Sequence, residues 1–386
     1  MVNNNKYPKP RKLIILNQAA NYLTVGFANA FNKEFDQVVL ITGSVHVQGE
    51  KLEEDIKVHY INKWHERPSW KKALSYLYAM WNMWWLLLFK YRKHEVFFVS
   101  VPPMGYLLNL VLPHRFSMVI WDVFPDAFKI TGMKESHPVY RLWAYFNKRS
   151  FRKAYKLFTI SEKMAELLEK YVSKDKIIIQ PIWSIFQSNE KVPKNENIFI
   201  QKHKLEGKFI VQYSGNIGLT HNVEVLIDIA EELQSFPNIL FQIIGRGPRK
   251  PALEQMVKDR NLPNCQFLPF QSDEMFPYSL SAADLGAVIL DERTSKGSVP
   301  SKSYNLMSYG IPSLYIASAD SQLQLYADKY GHAKCFTKSE LEGAGKFIHE
   351  LSENTEMTSA MSKKAVEASQ DFRRDNADAF VEKYLA

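Results

Sequence analysis

A loop of small and polar residues followed by a short helical pattern, residues 297–312 (GSVPSKSYNLMSYGIP), contains residue types that suit phosphate binding. Pro300 suits the first helical position, and Ser298 or Ser301 suits the cap of the exposed N–H groups. A helix N-terminus presents unpaired N–H donors and a partial positive charge, and Lys302 would add a full cation beside them. The stretch therefore predicts an anion site, although a capped surface helix without a ligand has the same pattern.

Two further loops contain glycines directly after predicted strands. Residues 213–218 (YSGNIG) include Gly215 and Gly218, and residues 244–248 (IGRGP) include Gly245 and Arg246. Glycine lets a backbone approach a phosphate closely, and Arg246 could reach a diphosphate. Tight strand–helix turns and a solvated arginine are the alternative interpretation. Because the three loops follow strands of one predicted sheet, we expect them to converge on one crevice.

Carboxylates follow a strand in the first half of the chain, in the segment 121–126 (WDVFPD). Asp122 or Asp126 could orient or deprotonate an acceptor hydroxyl if it lies within hydrogen-bond reach. The alternative is an Asx-turn, which is common after strands. We expect Asp122, Asp126 and Lys302 to be the catalytic side chains.

The segment 64–93 differs from the rest of the chain in its aromatic content. Its large apolar residues recur at helical spacing on one face, and lysines and arginines flank them. The aromatic face comprises Trp70, Leu74, Leu77, Tyr78, Trp81, Trp84, Trp85 and Leu88. Tryptophan, tyrosine and cations favour the membrane interface, so the pattern predicts a membrane-facing helix over 68–92. A buried helix of the first domain is the alternative, and a membrane span is a further one.

Five motifs together resemble glycosyltransferase family 4, in the branch that assembles O-antigens, colanic acid and capsules. They are 207–218 (GKFIVQYSGNIG), 243–248 (IIGRGP), 265–270 (CQFLPF), 281–285 (SAADL) and 299–304 (VPSKSY). The resemblance covers residues 11–385 and is strongest after Gly207. It implies a GT-B fold, a nucleotide-sugar donor, no bound metal and transfer with retention at the anomeric carbon.

The resemblance also implies a set of donor-binding residues. The diphosphate would lie near the glycine loops and Lys302, and the base would lie against the backbone at 268–270. The expected donor-binding residues are Gly215, Asn216, Gly218, Gly245, Arg246, Leu268, Pro269, Phe270, Ser298, Val299, Pro300, Ser301 and Asn305.

Several positions depart from the pattern of the family. Many members have an arginine where Asn216 stands and a lysine where His221 stands, and many have glutamates where Gly297 and Asn305 stand. Lys302 would replace the lost cations, and Asn305 can still hydrogen-bond a ribose hydroxyl. The contact to the sugar hydroxyls stays unassigned, with the carboxylates at 291 and 292 as candidates or as simple loop residues.

Apolar runs alternate with helical patterns along the whole chain, which predicts α/β architecture with parallel sheets. We expect GT-B organisation: two doubly wound Rossmann-like domains facing a central cleft, with C-terminal helices packing back toward the first domain. The predicted segments are an acceptor-side domain at 1–186, a linker at 187–206, a donor domain at 207–365 and a returning helix at 366–386. Strands are predicted at 12–16, 37–42, 96–101, 117–122, 156–160, 208–213, 239–244, 266–270, 285–290 and 312–316.

Length and composition limit the function classes. A chain of 386 residues, 46% hydrophobic and 23% charged, fits two globular domains. The net charge of +8 favours anionic partners without choosing among them. Cys265 and Cys335 stand far apart without a CxxC motif, and no histidine spacing fits a metal, so we expect a reducing cytosol and no metal. We expect neither a signal peptide at residues 1–11 nor a nucleic-acid partner.

The sequence thus predicts a retaining, metal-independent hexosyl- or N-acetylhexosaminyltransferase of bacterial surface polysaccharide assembly. Its donor would be a nucleotide-diphosphate sugar, most simply a UDP-sugar, with no other cofactor, and its acceptor a polyprenyl-linked or other saccharide. It would work in the cytoplasm, peripherally on the inner face of the cell membrane. The alternatives are a non-catalytic GT-B partner subunit and a GT-B sugar-nucleotide epimerase.

Overall fold

The computed structural model describes residues 10–47, 49–65, 68–186, 191–218 and 221–386. The chain divides into two compact units, one comprising Met1–Ile185 and Arg373–Ala386, the other Phe186–Phe372. Residues 187–190 of the predicted linker lie outside the described residues, and the rest of the predicted linker belongs to the second unit.

The first unit is built on a seven-stranded parallel sheet. Its strands are β1 (Lys12–Leu16), β2 (Gln37–Thr42), β3 (Lys57–Tyr60), β4 (Glu95–Val99), β5 (Phe116–Ile120), β6 (Leu157–Thr159) and β7 (Ile177–Ile179). Their order in the sheet is β3-β2-β1-β4-β5-β6-β7. The side chains of 13–16 and 38–41 are buried, as expected for a parallel sheet covered on both faces.

Helices and helical turns cover this sheet. They are α1 (Tyr22–Asn32), α2 (Ser69–Trp85), a π-helical turn (Leu86–Lys90), 3₁₀ turns at Gly105–Leu110 and Asp126–Thr131, α3 (Pro138–Lys153) and α4 (Glu162–Leu168). Two N-caps explain where helices begin. The side chain of Asn21 accepts a hydrogen bond from the amide of Thr24, and Ser161 accepts one from Met164. Each bond satisfies one of the N–H groups that a helix start leaves without a partner inside the helix.

The second unit contains a six-stranded parallel sheet. Its strands are β8 (Phe209–Asn216), β9 (Ile239–Arg246), β10 (Cys265–Leu268), β11 (Leu285–Ile289), β12 (Ser313–Ile316) and β13 (Ala333–Phe336), in the order β10-β9-β8-β11-β12-β13. The helices up to the end of this unit are α5 (Ile198–His203), α6 (Glu224–Glu232), α7 (Lys250–Asp259), α8 (Phe276–Ser281), α9 (Ser301–Ser308), α10 (Gln322–Tyr330), α11 (Leu341–Glu353) and α12 (Thr355–Ser369).

Each sheet has a topological switch point. In the first sheet the strand order reverses between β1 and β4, and in the second it reverses between β8 and β11. Ligands of open α/β sheets bind outside the carboxyl ends of strands at such points. The loops after β1, β4 and β5 and those after β8, β9 and β11 are therefore the positions to search for a site.

The chain returns to the first unit at Arg373, later than the predicted boundary at residue 366. The final helix, α13 (Asn376–Leu385), packs on α1. The ring of Phe380 lies 4.9 Å from that of Phe27, and the ring of Tyr384 lies 5.2 Å from that of Phe31. The last helix is thus part of the hydrophobic core of the first unit.

Three strands escape prediction from the sequence. Strand β3 has exposed ends and no apolar run, whereas β7 and β13 are short strands at sheet edges. All predicted strands are present, β1 and β2 with the predicted ends and the others with shifted ends. The pattern failed where a strand buries few side chains, because hydrophobic periodicity is the signal on which the prediction depends.

Candidate functional site

The ends of β8 and β9 lie side by side in the second unit. In their register Gly215 pairs with Gly245, and Asn216 pairs with Arg246. A Cβ atom at Gly245 would lie 1.9 Å from the carbonyl oxygen of Gly215, so only glycine fits there. The structure therefore brings the two glycine loops together, and the close packing of their backbones is what requires glycine at position 245.

Helix α9 begins at Ser301, and its N-cap residue is Pro300 with φ −65°. This corrects the prediction that Ser298 or Ser301 caps the helix and that Pro300 is the first helical residue. Among the described residues no side chain caps this helix, and the hydroxyl of Ser303 donates to the carbonyl of Pro300 instead. The backbone N–H of Ser303 also donates to that carbonyl at 3.0 Å. The N–H groups of Ser301 and Lys302, at the very start of the helix, are therefore the donors that a phosphate would meet first.

Lys302 connects the start of α9 to the end of β8. Its Nζ atom lies 3.7 Å from the centroid of the Tyr213 ring and 3.0 Å from the position that a Cβ atom of Gly215 would take. The Nζ atom is buried and has no hydrogen-bond partner within the described part of the chain. Burial lowers the pKa of Lys302 to about 7. A cation seated on an aromatic face beside open backbone amides is a site that an anion would complete.

Two family departures lie in the same region. Asn216 is exposed, and its carbonyl accepts a 2.6 Å hydrogen bond from the hydroxyl of Tyr213. Burial, and then the charge of Lys302, lowers the pKa of His221 to about 4, so its imidazole is neutral near pH 7. Lys302 is therefore the cation at the end of β8, where many family members have an arginine and a lysine.

A small cavity opens beside Lys302 on the face of the sheet covered by α8 and α9. Its polar lining consists of Gln212, Ser214, Lys302 and Asn305, and its apolar lining of Phe276, Leu280, Ala287 and Leu306. The amide nitrogen of Gln212 donates to Gln242 Oε1 at 2.9 Å and to the carbonyl of Ser279 at 2.8 Å, which fixes the side chain. The cavity thus places Asn305 next to the lysine.

The end of β10 supplies the backbone expected to face a nucleobase. Lys250, at the start of α7, donates to the carbonyl oxygen of Leu268 at 3.1 Å and to that of Gly245 at 3.4 Å. This lysine ties the two strand ends together, and the sequence analysis did not identify it. The sequence did offer a signal for this residue, because Lys250 stands two residues after a glycine–proline turn, at the start of a helix.

Arg246 and Phe270 form the outer edge of this region. The guanidinium carbon of Arg246 lies 5.4 Å from the centroid of the Phe270 ring, which is 53% exposed. Such a pair presents a flat apolar and cationic surface to solvent. Pro269 lies between Leu268 and this exposed ring.

The remaining predicted donor residues border the same loops. A Cβ atom at Gly218 would lie 2.9 Å from Asn216 Nδ2, so this glycine sits close to the tip of the β8 loop. Ser298 is half-buried and Val299 is buried, directly before α9. The helix ends at Gly310, whose φ of 61° requires glycine or a similarly tolerant residue.

The two carboxylates considered for the sugar hydroxyls already have protein partners. Asp291 is buried and accepts hydrogen bonds from the guanidinium of Arg293 and from Asn222, and these bonds, led by Arg293, lower its pKa to about 2. Glu292 accepts a hydrogen bond from the amide of Lys338 at 2.8 Å. These contacts are typical of loop structure, and the sugar contact stays unassigned.

Asp122 follows β5 in the first unit, at the carboxyl edge of the sheet. The residue as a whole is exposed, and burial of its carboxyl group raises the pKa of that group to about 6. A carboxyl with such a pKa is mostly ionised at pH 7 and is a stronger base than an ordinary aspartate. This is the chemistry expected of a group that accepts a proton from a hydroxyl.

Asp126 has a different environment, because it is only 6% exposed and its oxygens have several partners. It accepts hydrogen bonds from Tyr140 and Tyr171 and from Lys170, and Lys129 Nζ lies 3.1 Å away. Burial alone would raise the pKa of Asp126, but these partners outweigh burial and lower it. The contacts favour a structural role in holding α3 and α4, so the two aspartates differ in how far protein partners occupy their carboxylates.

Helix α2 turns its aromatic face to solvent. Trp70 is 61% exposed, Trp81 59% and Trp85 50%. Ala79, Met83 and Leu87 form the opposite, buried side. The helix is therefore not a buried helix of the first domain. Within the described residues, no helix has both the length and the apolarity to cross a bilayer.

The fold places the chain in a known structural class. A solved structure of Anabaena HepE in complex with UDP superimposes with a TM-score of 0.71, covering 97% of this chain and 99% of that one at 12% identity. Two parallel sheets of seven and six strands, each flanked by helices, are the Rossmann-like units of the GT-B glycosyltransferase fold. The predicted α/β GT-B fold class is confirmed.

The family follows from the second unit. Residues 194–368 match the profile of the family "Glycosyl transferases group 1". This segment is thus a glycosyl transferases group 1 domain, and the predicted resemblance to a polysaccharide-assembly glycosyltransferase family is confirmed.

Two curated relatives are similar over part of their length. The putative colanic acid biosynthesis glycosyl transferase WcaI of Escherichia coli (strain K12) is 28% identical over 218 residues, 55% of this chain and 53% of the relative. The probable glycosyltransferase WbjE of Pseudomonas aeruginosa is 24% identical over 230 residues, 58% of this chain and 56% of the relative. The matches therefore span about half the length of these relatives.

Proposed function

We propose that this protein is a retaining, metal-independent glycosyltransferase of bacterial surface polysaccharide assembly. It transfers a hexosyl or N-acetylhexosaminyl group from a nucleotide-diphosphate sugar to a lipid-linked or saccharide acceptor. The observation that carries the proposal is the meeting of Gly215, Gly245 and Lys302 at the uncapped start of α9, inside a group 1 domain.

The donor diphosphate binds at this meeting point. Charge builds on the leaving diphosphate as the glycosidic bond breaks, and preorganised N–H donors and a cation stabilise that charge. Ser301 and Lys302 begin α9, so the first-turn amides and the ammonium of Lys302 act on the same group. The approach of a dianion favours the charged form of Lys302, which has a lowered pKa before the ligand arrives.

The nucleoside extends toward the ends of α9 and β10. Asn305 hydrogen-bonds a ribose hydroxyl, and the base lies against the backbone of 268–270, which Lys250 holds in place. UDP is the first nucleotide to test because the HepE structures contain UDP or UDP-glucose. The identity of the base is therefore a proposal drawn from a protein that shares the fold.

Asp122 positions the acceptor hydroxyl and accepts its proton. Its carboxylate, with a pKa of about 6 on an exposed residue, supports this role. The loss of the hydroxyl proton makes the oxygen nucleophilic, and the C1–O bond to the diphosphate breaks as the new glycosidic bond forms. Retention and independence from metal are part of the proposal on the strength of the family resemblance.

The exposed face of α2 holds the protein on the inner face of the cell membrane. Seven of its large side chains are exposed: Trp70, Leu74, Leu77, Tyr78, Trp81, Trp85 and Phe89. Lys71, Lys90, Arg92 and Lys93 add positive charge at its ends. Aromatic rings suit the headgroup level and cations suit anionic lipids, so a peripheral location on an anionic membrane fits this surface.

A nucleotide-release screen with UDP-, GDP- and dTDP-sugars, with and without bacterial membranes, tests the proposed function. We expect release of one nucleoside diphosphate that needs an acceptor, resists EDTA and is lost on Lys302→Ala. Lys346→Ala is the matched control, because Lys346 is an exposed lysine on α11 of the same unit. Conversion of the sugar without an acceptor would indicate the epimerase, and the absence of both reactions would indicate a non-catalytic subunit. The anomeric configuration of the product, measured by NMR coupling constants, tests retention.

A further inference from the structure

The edge of α2 that lies beside its exposed aromatic face contacts the carboxyl end of the first sheet. Gln18, after β1, donates from Nε2 to the carbonyl oxygen of Ser75 at 3.0 Å, and Asn62 donates to the same oxygen at 2.8 Å. The backbone N–H of Gln18 in turn donates to the carbonyl oxygen of Val101, after β4, at 3.0 Å. The middle of α2 is thereby fixed at the sheet edge that also carries Asp122.

Two aromatic side chains and a lysine stand on this edge. The indole Nε1 of Trp64 donates to the hydroxyl of Tyr76 at 3.0 Å, and Lys72 Nζ lies 5.4 Å from the centroid of the Trp64 ring. Trp64 is exposed, while Lys72 and Tyr76 are half-buried. Tyr76 directly follows Ser75, so the hydrogen bonds described above also determine where its ring lies.

The charge of the Asp122 carboxylate influences the pKa of the Tyr76 phenol. Burial raises the pKa of the Tyr76 phenol, the bond from Trp64 lowers it, and the Asp122 carboxylate raises it again. Because β5 and β1 both flank β4, their carboxyl-end loops meet at one edge of the sheet. Topology and electrostatics thus agree that the aromatic pair and the carboxylate face one region of the first unit.

We propose that Trp64, Lys72 and Tyr76 form the acceptor-headgroup subsite, which binds the phosphate-linked sugar of a lipid acceptor and presents its hydroxyl to Asp122. The inference rests on the proposed function and deepens it. The Trp64 ring offers a flat apolar surface to the C–H face of a sugar, the Tyr76 hydroxyl hydrogen-bonds a sugar hydroxyl, and Lys72 binds phosphate. The lipid chain continues along the exposed face of the same helix, which Trp70 and Trp81 help to form.

The assignment gives α2 and the segment just before it two tasks with separate residues. Trp64, Lys72 and Tyr76 recognise the sugar and phosphate of the headgroup. The residues on the exposed aromatic face of α2 bind the lipid chain and do not contact the headgroup. Tyr145 and Lys148 are therefore the matched controls, because they are exposed on α3 of the same unit rather than on α2 and are chemically equivalent to Tyr76 and Lys72. Trp64, Lys72 and Tyr76 are positioning residues here, and Asp122 is the group that meets the reacting oxygen.

The test uses the full chain and two probes, farnesyl diphosphate and farnesyl diphosphate bearing N-acetylglucosamine. Binding is followed by ¹⁹F NMR of protein labelled with 5-fluorotryptophan, and the Trp64 resonance is assigned with Trp64→Phe. We expect both probes to shift the Trp64 resonance, and the sugar-bearing probe to shift it further. Lys72→Ala should weaken both probes and Tyr76→Phe only the sugar-bearing one, each by about three- to tenfold, the effect of one hydrogen bond or ion pair.

Lys148→Ala and Tyr145→Phe should leave both dissociation constants within about twofold of the parent protein. The inference is overturned if neither probe shifts the Trp64 resonance, or if the control variants weaken binding as much as Lys72→Ala and Tyr76→Phe do. UDP affinity, measured on the same samples by calorimetry, reports the other unit. If the parent protein does not bind UDP or does not release a nucleotide, the proposed function is wrong. The measurements with the two farnesyl probes can still be interpreted in that case.

Discussion

The two units use opposite means to prepare a site at the carboxyl edge of a parallel sheet. In the second unit the backbone does the work: Gly215 and Gly245 exclude side chains, and the start of α9 exposes amides. In the first unit side chains do it: Asp122 and the aromatic residues of α2 project from loops and a helix. A diphosphate is common to all nucleotide-diphosphate sugars, whereas acceptors differ, so a fixed backbone cradle in one unit and a variable side-chain surface in the other suit a transferase.

The largest effect is expected from adding one methyl group to the backbone cradle. Gly245→Ala puts a Cβ atom where the carbonyl oxygen of Gly215 lies, so the loops must move apart. We expect loss of measurable UDP binding by calorimetry and a fall of about 2 kcal/mol or more in the free energy of unfolding. Gly343→Ala is the control, because its Cβ atom would meet only the Phe336 ring at 3.3 Å. If Gly245→Ala retained its affinity for UDP, the claim that the backbone forms the donor site of the second unit would be wrong.

The next effect concerns the cation in the cradle. Lys302→Ala should lower kcat/KM by about 10²- to 10³-fold, the usual effect of removing a preorganised charge partner. Because burial lowers the pKa of Lys302 to about 7, the ammonium form dominates below pH 7 and is lost above it in the empty site. Affinity for UDP should therefore fall as the pH rises through 7, with proton uptake on binding.

Calorimetry in buffers of different ionisation enthalpy measures this proton uptake. Lys302→Ala should abolish both the uptake and the pH dependence between 7 and 9. A parent protein that binds UDP equally well at pH 6 and pH 9 would contradict the assigned role of the lysine.

On the acceptor side, Asp122→Asn should reduce kcat by about 10²-fold and leave UDP affinity unchanged. The raised carboxyl pKa predicts that activity of the parent protein rises with pH through about 6, as the base form appears. This limb of the pH–rate profile should be missing in Asp122→Asn. An unaltered limb would assign the base to another group.

Asp126→Asn should act on stability rather than on chemistry. It removes the charge partner of Lys129 and Lys170 and weakens the bonds from two tyrosines, so thermal unfolding should report a loss of about 1–3 kcal/mol. Lys129 and Lys170 are partly exposed, which limits the loss. If Asp126→Asn reduced kcat as strongly as Asp122→Asn and left stability unchanged, Asp126 would be a catalytic residue, as the sequence analysis predicted.

The smallest effect on catalysis is expected from the outer face of α2. The double change Trp81→Ser and Trp85→Ser should weaken flotation with phosphatidylglycerol vesicles by about tenfold, while UDP affinity stays the same. Leu325→Ser is the control, because Leu325 is an exposed apolar residue of α10 in the second unit. Equal losses in both proteins would mean that the aromatic face is not specific for lipid.

The sequence predicts the two units to different depths. The loops at Gly215, Gly245 and Lys302 were identifiable because glycine and a helix start have few other uses at strand ends. The cap of α9 was misplaced, since a proline can occupy the N-cap itself. Lys250 and Tyr213 were missed because their roles, two carbonyl contacts and a ring under an ammonium, depend on strands that are distant in sequence.

In the first unit, type alone did not separate Asp122 from Asp126. Both follow a strand, and only the partners Tyr140, Tyr171 and Lys170 reveal that one carboxylate is engaged in packing. Likewise, periodicity found the aromatic stripe of α2 but left a membrane-facing helix and a buried helix as alternatives. Burial is a property of the assembled unit, which a pattern along one helix does not contain.

The placement of α13 has a consequence for biosynthesis. Its rings at Phe380 and Tyr384 fill the space against Phe27, Phe31 and Phe97, residues made more than 280 positions earlier. A nascent chain emerging from the ribosome therefore carries an incomplete core in the first unit until residues 376–385 have been translated. Until then those phenylalanines lack the ring contacts that α13 provides, so the core of the first unit closes only after the whole second unit has been made.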